Sequence, residues 1–235
     1  MKRETGNALF LILIAVALFA ALSYAITTSG RGGSNINKEQ ASLGSSEILQ
    51  WFAMVDAAVT RMNLLGVSYT DISFVYDAFY YDGSPLNGYQ DNANCTAADC
   101  KIFDPQGGAV ATPDFTRYAT PNPTDFTSAY LAPGYMVTYT MQWPQAGSTA
   151  NDIVLNLSGL SPEICASINE KFEISAAPTL AGAGQQANDP AQWDAASYTV
   201  DTNANEIRGK NTFARALMGS GSGEYCHVYH LLITR

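Results

Sequence analysis

An uncharged apolar run near the N-terminus is the feature that most constrains how this chain folds. From Ala8 to Ile26 the chain carries no charged residue. An α-helix rises about 1.5 Å per residue, so a bilayer core of about 30 Å needs roughly 20 apolar residues. Residues 8–27 meet that length without excess. The run therefore predicts one transmembrane helix, which we assign to residues 7–28, in a single-pass membrane protein.

The flanks of this run predict its orientation. Lys2, Arg3 and the free amine precede it, opposed only by Glu4, whereas Arg31 is the only charge on the far side before Lys38. Positive residues stay on the cytoplasmic side of a membrane. We therefore expect residues 1–6 in the cytoplasm, the helix in the inner membrane, and the C-terminal domain in the periplasm or outside the cell.

The charge of the remaining chain limits its partners. Of the 12 basic and 21 acidic residues, three basic residues and one acidic residue precede position 38, which leaves a net charge of −11 beyond it. A surface of that sign repels the phosphate backbone of nucleic acid and anionic lipid headgroups. The composition therefore argues against a nucleic-acid-binding role.

The four cysteines agree with export. All of them, Cys95, Cys100, Cys165 and Cys226, lie beyond the apolar run, and disulfides persist in oxidising compartments. Cys95 and Cys100 close a short loop, so we predict that they pair with each other and that Cys165 pairs with Cys226. Four free thiols in a reducing compartment are the alternative.

A glycine-rich break separates the apolar run from an amphipathic helix. Three glycines within residues 29–37 predict a flexible linker. A second helix is predicted over residues 38–65, and Gly66 ends it. Its apolar residues recur at spacings of three and four, which is the period of one helical face. This stripe consists of Ile48, Phe52, Val55, Val59 and Met62.

Beyond this helix the pattern favours strands. β-Branched and aromatic residues predict one or two strands in residues 67–81, a short strand at 101–103, the clearest strand at 135–143, its antiparallel partner at 152–157, and a final strand at 225–233. Alternation in the clearest strand predicts one set of core-facing residues: Tyr135, Val137, Tyr139, Met141 and Trp143.

A short second helix interrupts the strands and completes the fold class. Ser161, Pro162 and Glu163 supply a capping hydroxyl, a proline at the first helical position and an acid near the positive end of the helix dipole. The helix is predicted to end near Phe172. Residues 38–235 are therefore predicted to form one exported globular α+β domain, with an amphipathic helix packed on an antiparallel sheet and with long loops.

Candidate chemistry is sparse in this sequence. His227 and His230 stand three apart in a predicted strand, so they point to opposite faces and cannot share a metal. Side chains with oxygen atoms are frequent in residues 82–94 and 201–206. Two interpretations of these segments stay open, a calcium-binding loop and a solvated turn. The glycines and serines of residues 219–223 do not have the spacing of a nucleophile elbow or of a phosphate-binding loop. This segment therefore predicts a hairpin loop. We predict no catalytic residue, metal ligand or cofactor.

The N-terminus resembles that of type IV pilins and of the pseudopilins of secretion systems. A short basic segment ends in Gly6 and is followed at once by Asn7 and the apolar run, over roughly the first 25 residues. The family pattern also includes an amphipathic helix on an antiparallel sheet and a C-terminal disulfide. The chain departs from it at Leu11, where a glutamate occupies the fifth mature position in the family, and at the glycine break.

This resemblance implies a non-enzymatic structural subunit of a bacterial surface filament or secretion apparatus. A prepilin peptidase is then expected to cut between Gly6 and Asn7, and other pilin-like subunits are the expected partners. The apolar helix is expected to pack in the membrane and in the assembly. The residues expected to do so are Leu9, Leu11, Leu13, Val16, Leu18 and Leu22. The absence of a glutamate at Leu11 argues against a major pilin.

Three other interpretations remain open. Ser23-Tyr24-Ala25 places small residues where a signal peptidase recognises its substrate, which implies a secreted protein beginning at Ile26. The second is an uncleaved signal anchor that holds a periplasmic domain, and this domain binds a ligand or partner. The third is an anchored enzyme, which has the least support because the sequence contains no recognisable set of catalytic residues.

Overall fold

A computed structural model gives the structure of the protein. The described residues are 6–29, 33–76, 80–81, 84–85, 92–120, 136–143, 152–175, 180–181, 198–200, 204–219 and 223–234. The chain divides into two compact units, Met1–Gln40 and Ala41–Arg235. The first unit contains helix α1, Gly6–Ser29, whose many leucines and alanines favour a helix.

Helix α2 runs Gly33–Leu64, and its residues from Ala41 onward belong to the second unit. It begins five positions before the predicted start, so residues 33–37 of the predicted linker are helical, whereas residues 30–32 lie outside the described residues. Glycine, serine and asparagine are favoured around a helix N-terminus, which explains the earlier start. The predicted apolar stripe is confirmed, because Ile48, Phe52, Val55, Val59 and Met62 are all buried.

Gly66 ends α2 as predicted, through a left-handed turn. Its φ is 97°, a conformation that glycine adopts without steric cost. The N–H of Gly66 donates to the carbonyl of Asn63, and the N–H of Val67 donates to that of Met62, both at 3.0 Å. These two bonds form a Schellman motif, which satisfies the last carbonyls of the helix.

The strands predicted at 67–81 and 101–103 are largely wrong. Residues 69–71 form a 3-10 turn, and the extended segment that follows makes a single parallel bridge between Ser73 and Lys101. Among the described residues of these two segments, only β1, Tyr80–Tyr81, is a strand, and it pairs with β2, Ser84–Pro85. The alternating residues Ile72, Phe74 and Tyr76 are buried, so their pattern reports packing on the core and not a place in the sheet.

The main sheet has six strands in the described part of the chain. They are β3 (Met136–Gln142), β4 (Asp152–Leu160), β5 (Leu180–Ala181), β6 (Tyr198–Val200), β7 (Thr212–Gly219) and β8 (Gly223–Ile233). Their spatial order is β5-β6-β3-β4-β8-β7, and every pair is antiparallel except β3 with β6. The α+β class and the strands predicted at 135–143, 152–157 and 225–233 are confirmed as β3, β4 and β8.

Strand β4 is central and buried on both faces. All nine of its residues are buried. Alternate residues join two different cores: Ile153 and Leu155 pack with α2, whereas Val154 packs on the opposite face with Trp143 and Phe213. The predicted inward face of β3 was therefore incomplete. Met136, assigned outward, is fully buried in the core with α2, and alternation cannot distinguish the faces of a strand that is covered on both.

Helix α3, Pro162–Lys171, starts and ends close to the predicted bounds. Ser161 is its N-cap residue, but the predicted capping by the Ser161 hydroxyl is wrong, because this hydroxyl makes no hydrogen bond to the start of the helix. The helix lies beside the edge strand β7. The side-chain amide of Asn169 donates to the carbonyl of Ala214 and accepts from the N–H of Ala214, both at 2.8 Å. The amide thus bonds to Ala214 in the way a peptide group of a neighbouring strand would.

Helix α3 ends in the same kind of left-handed turn as α2, but the residue in that turn is not a glycine. Glu173 has a φ of 53°, the N–H of Ile174 donates to Asn169, and that of Glu173 donates to Glu170. A left-handed conformation costs a residue with a Cβ about 1–2 kcal/mol. Glutamate therefore stands where glycine is preferred.

We expect Glu173→Gly to stabilise the folded domain by about 0.5–1 kcal/mol, because the relief of strain exceeds the extra freedom of glycine in the unfolded chain. The matched change Gly66→Ala should destabilise it by about 1 kcal/mol, since open space surrounds Gly66 and only its backbone conformation is at stake. Urea unfolding followed by tryptophan fluorescence measures both. Equal effects of the two changes would contradict this account.

Candidate functional site

The apolar surface of α1 is the first candidate. Its described large side chains are 41–72 % exposed, and at 100° per residue they cover the whole circumference of the helix. Of the predicted packing residues, Leu13, Val16 and Leu18 belong to this exposed set. The side chains of Leu9, Leu11 and Leu22 lie outside the described residues. A helix that is apolar all round requires a lipid or protein environment to cover it.

The predicted leader junction lies at the start of the same helix. Gly6 and Asn7 are the first two residues of α1. The side chains that the structure describes on α1 are those of Phe10, residues 12–21 and Ser23. Within the described part of the chain, no helix is both long enough and apolar enough to cross a membrane. The transmembrane assignment of residues 7–28 stays a prediction.

Two disulfides tie the second unit together, with the predicted pairing. Cys95 is bonded to Cys100, and Cys165 is bonded to Cys226. The second bond joins α3 to β8 across a sequence separation of 61 residues. Closing a loop of that length restricts the unfolded chain and stabilises the fold by about 4 kcal/mol in the loop-entropy model. It fixes α3 on the sheet.

A buried polar network joins α2 to the sheet. The Nε2 of His230 lies 3.1 Å from both carboxylate oxygens of Asp56, and its Nδ1 lies 2.7 Å from the Thr212 hydroxyl. The ring stacks on Phe52 at 4.5 Å. One tautomer satisfies both bonds, with Nε2–H donating to Asp56 and Nδ1 accepting from Thr212. His230 and Thr212 are almost fully buried, whereas the Asp56 side chain is 38 % exposed. The triad therefore positions α2 on the sheet and reaches solvent at Asp56.

The second histidine lies on the other face of the sheet, as predicted. His227 pairs in register with Arg215 of β7 and is buried. Burial, and then the positive charge of Arg215, lower the pKa of His227 from 6.5 to about 4. The described residues contain no group of three or more metal-ligating side chains. Most of the oxygen-rich segment at 82–94 and half of the one at 201–206 lie outside the described residues.

A groove of about 320 Å³ runs beside α2 and is the second candidate site. Trp51 and Phe115 form its apolar floor, and the indole N–H of Trp51 donates to the carbonyl of Ala111 at 3.0 Å. Glu47, Gln50 and Asp114 stand on its rim. Its rim is therefore polar and acidic over an aromatic base.

Glu47 is fixed at this rim by two partners. The hydroxyl of Tyr118 donates to its carboxylate at 2.6 Å, and the guanidinium of Arg117 pairs with the same carboxylate. These contacts, that of Tyr118 first, hold the pKa of Glu47 below its ordinary value. Glu47 therefore keeps a negative charge beside the groove.

Sequence reasoning missed the residues that join the elements. Asp56 is not part of the predicted apolar stripe of α2, yet it lies one turn beyond Phe52 and reaches His230. Nothing in the sequence around Thr212 or Asn169 indicates the hydrogen bonds that they form, because those bonds depend on the neighbouring strand. The spacing of Phe52 and Asp56 along one helical face was the only available hint.

We expect Asp56→Ala to lower the free energy of unfolding by about 1–2 kcal/mol, because the buried Nε2–H of His230 loses its acceptor. Glu39→Ala, which removes an exposed carboxylate from the same helix, should change it by less than about 0.5 kcal/mol. Urea unfolding of the full chain in detergent compares the two. An equal effect of both changes would show that the Asp56–His230 contact contributes no stability.

The buried His227 predicts a loss of stability in acid. Its pKa is lower in the folded than in the unfolded chain, so between pH 6.5 and about 4 the unfolded chain binds the extra proton. Stability from this group is complete above pH 6.5 and declines as the pH falls to about 4. Between pH 7 and 4.5, the free energy of unfolding of His227→Leu should fall by about 2–3 kcal/mol less than that of the wild type. Urea unfolding at each pH measures this difference, and identical pH profiles of the wild type and His227→Leu would refute it. The control Glu39→Ala should keep the wild-type profile.

No protein-family model, curated protein or solved structure matches this chain. Its role is therefore inferred from its own residues and geometry.

Proposed function

We propose that this chain is a non-enzymatic, pilin-like or pseudopilin-like structural subunit of a bacterial surface filament or secretion apparatus, held in the inner membrane before assembly. One observation carries the proposal: a helix that is apolar on every described face precedes a disulfide-tied domain in which a long amphipathic helix packs on an antiparallel sheet.

The exposed side chains of α1 supply the reason to assemble. Apolar surface in water costs about 25 cal/mol per Å², so the helix is stored in lipid or covered by other helices. Transfer from lipid to a bundle of similar helices is driven by van der Waals packing and not by the hydrophobic effect, because both surroundings are apolar. In this proposal Leu13, Val16 and Leu18 contact neighbouring subunits, and the domains form the outer surface.

The contacts within the second unit suit a subunit under load. The Asp56–His230 bond and the Phe52 stack join α2 to β8, and the Cys165–Cys226 bond joins α3 to the same strand. Force that arrives along α2 is thereby transmitted to the central strands of the sheet. Polar bonds and a covalent bond resist sliding better than apolar packing alone, since they have a preferred register.

The N-terminal residues favour a minor subunit within this proposal. A cut after Gly6 would create a positive amine on Asn7, and Leu11 offers no carboxylate to receive such an amine from a neighbour. Assembly would then rest on apolar packing without that ion pair. A pseudopilin or a minor pilin fits better than the major subunit of a long filament.

The groove beside α2 favours a second candidate, a signal-anchored or secreted periplasmic domain that binds a ligand or partner. Its volume of about 320 Å³ and its aromatic floor under polar side chains have the general character of a binding site. In that case α1 is only an anchor or a signal peptide, and the chain acts without other subunits.

The mature N-terminus separates these candidates. We expect intact-mass and N-terminal peptide analysis of the protein from bacterial cells to find Asn7 as the first residue. Gly6→Leu should abolish this cut, because the recognised small residue is gone, whereas Ala25→Leu should leave it unchanged. A protein that starts at Ile26 and is blocked by Ala25→Leu indicates secretion, and an intact Met1 indicates a plain anchor; either result rejects the pilin-like proposal.

A further inference from the structure

Two segments of the chain have the acceptor pattern for N-linked glycosylation, Asn-x-Ser/Thr. They are Asn94-Cys95-Thr96 and Asn156-Leu157-Ser158, and a third match at Asn122 is excluded because proline follows it. The pattern alone does not distinguish the two. Their places in the fold do, because the transferring enzyme must reach the amide nitrogen of the asparagine and the hydroxyl two residues later.

Asn94 stands at the tip of an anchored turn. The N–H of Cys95 donates to the carbonyl of Asn92 at 2.8 Å, which closes the turn, and the N–H of Asn94 donates to the side-chain oxygen of Asn92 at 3.0 Å. Asn92 is buried and donates to the carbonyls of Thr70 and Ile72. Asn94 projects from this fixed base.

Both reactive groups of the first segment are accessible. Asn94 and Thr96 are exposed, whereas Cys95 between them is buried and bonded to Cys100. The disulfide and Asn92 hold the backbone on either side of Asn94. The amide nitrogen and the hydroxyl can therefore enter an enzyme without any loss of core packing.

Asn156 has the opposite environment. It lies in the middle of β4, opposite Val137 of β3 and Tyr229 of β8, and it is 1 % exposed; Ser158 is fully buried. An enzyme could reach it only if the central strand left the sheet. The fold thus makes the second segment inaccessible to the enzyme.

We propose that Asn94 is an acceptor for an N-linked oligosaccharide and that folded Asn156 is not. The donor is a polyprenyl-phosphate-linked oligosaccharide: a bond forms between Nδ2 of Asn94 and the anomeric carbon of the first sugar, and the bond from that carbon to the phosphate oxygen breaks. The lipid phosphate leaves, and the proton lost by the amide goes to the base that the enzyme supplies. In the cell this rests on the proposed export of the domain.

The test uses the purified full chain in detergent, folded and with both disulfides formed. It is incubated with a single-subunit oligosaccharyltransferase of broad Asn-x-Ser/Thr specificity and its lipid-linked donor, and products are read by intact mass and peptide mapping. Synthetic peptides of residues 92–98 and 152–160 establish that the enzyme accepts both segments. Because this assay bypasses export, its failure is separate from a failure of the pilin-like proposal, which the mature N-terminus decides.

We expect a single glycan on the wild-type chain, at Asn94. Asn94→Gln and Thr96→Ala should abolish the mass shift, and Ser158→Ala, which destroys only the buried segment, should leave it unchanged. Circular dichroism of each variant verifies that it is folded. Transfer to both peptides without transfer to the folded chain, or transfer to Asn156 in the folded chain, overturns the proposal.

Discussion

The fold of the second unit depends on the burial of one face of α2 against the central strands. Phe52, Val55 and Val59 share a core with Leu155 of β4 and Val228 of β8. Without this packing, neither the sheet nor the long segment after α2 has an apolar surface to lie on. Apolar packing alone leaves a helix free to rotate or slide, and the bond from Asp56 to His230 removes that freedom. The polar contact specifies the position that the apolar contacts stabilise.

Local signals in the sequence predicted the elements whose structure is decided locally. The stripe from Ile48 to Met62 predicted α2, the Ser161-Pro162 pair predicted the start of α3, and the short Cys95–Cys100 loop suggested both disulfide pairings. The apolar run likewise predicted a helix where α1 lies. These features need only a few neighbouring residues to be recognised.

Features that depend on distant residues could not be predicted. Strand β7 has the sequence Thr-Phe-Ala-Arg-Ala-Leu-Met-Gly, whose alanine, leucine and methionine favour a helix, and pairing with β8 overrides that preference. The Asp56–His230 bond spans 174 residues and depends on how α2 lies across the sheet. Met136 was assigned to the wrong side because both faces of the sheet are covered. In the groove, Trp51 and Phe115 are 64 residues apart in the sequence, and their contact was not predicted.

The contact of Asn169 with Ala214 has a consequence for solubility. Strand β7 is at the edge of the sheet, where free N–H and C=O groups can recruit a strand from another molecule. The Asn169 amide occupies both groups of Ala214, the third residue of β7, so a foreign strand cannot align along the full length of this edge without first displacing α3. Since Cys165 ties α3 to β8, that displacement is opposed by a covalent bond. The edge of the sheet thus has a built-in barrier to amyloid-like stacking with the sheets of other molecules.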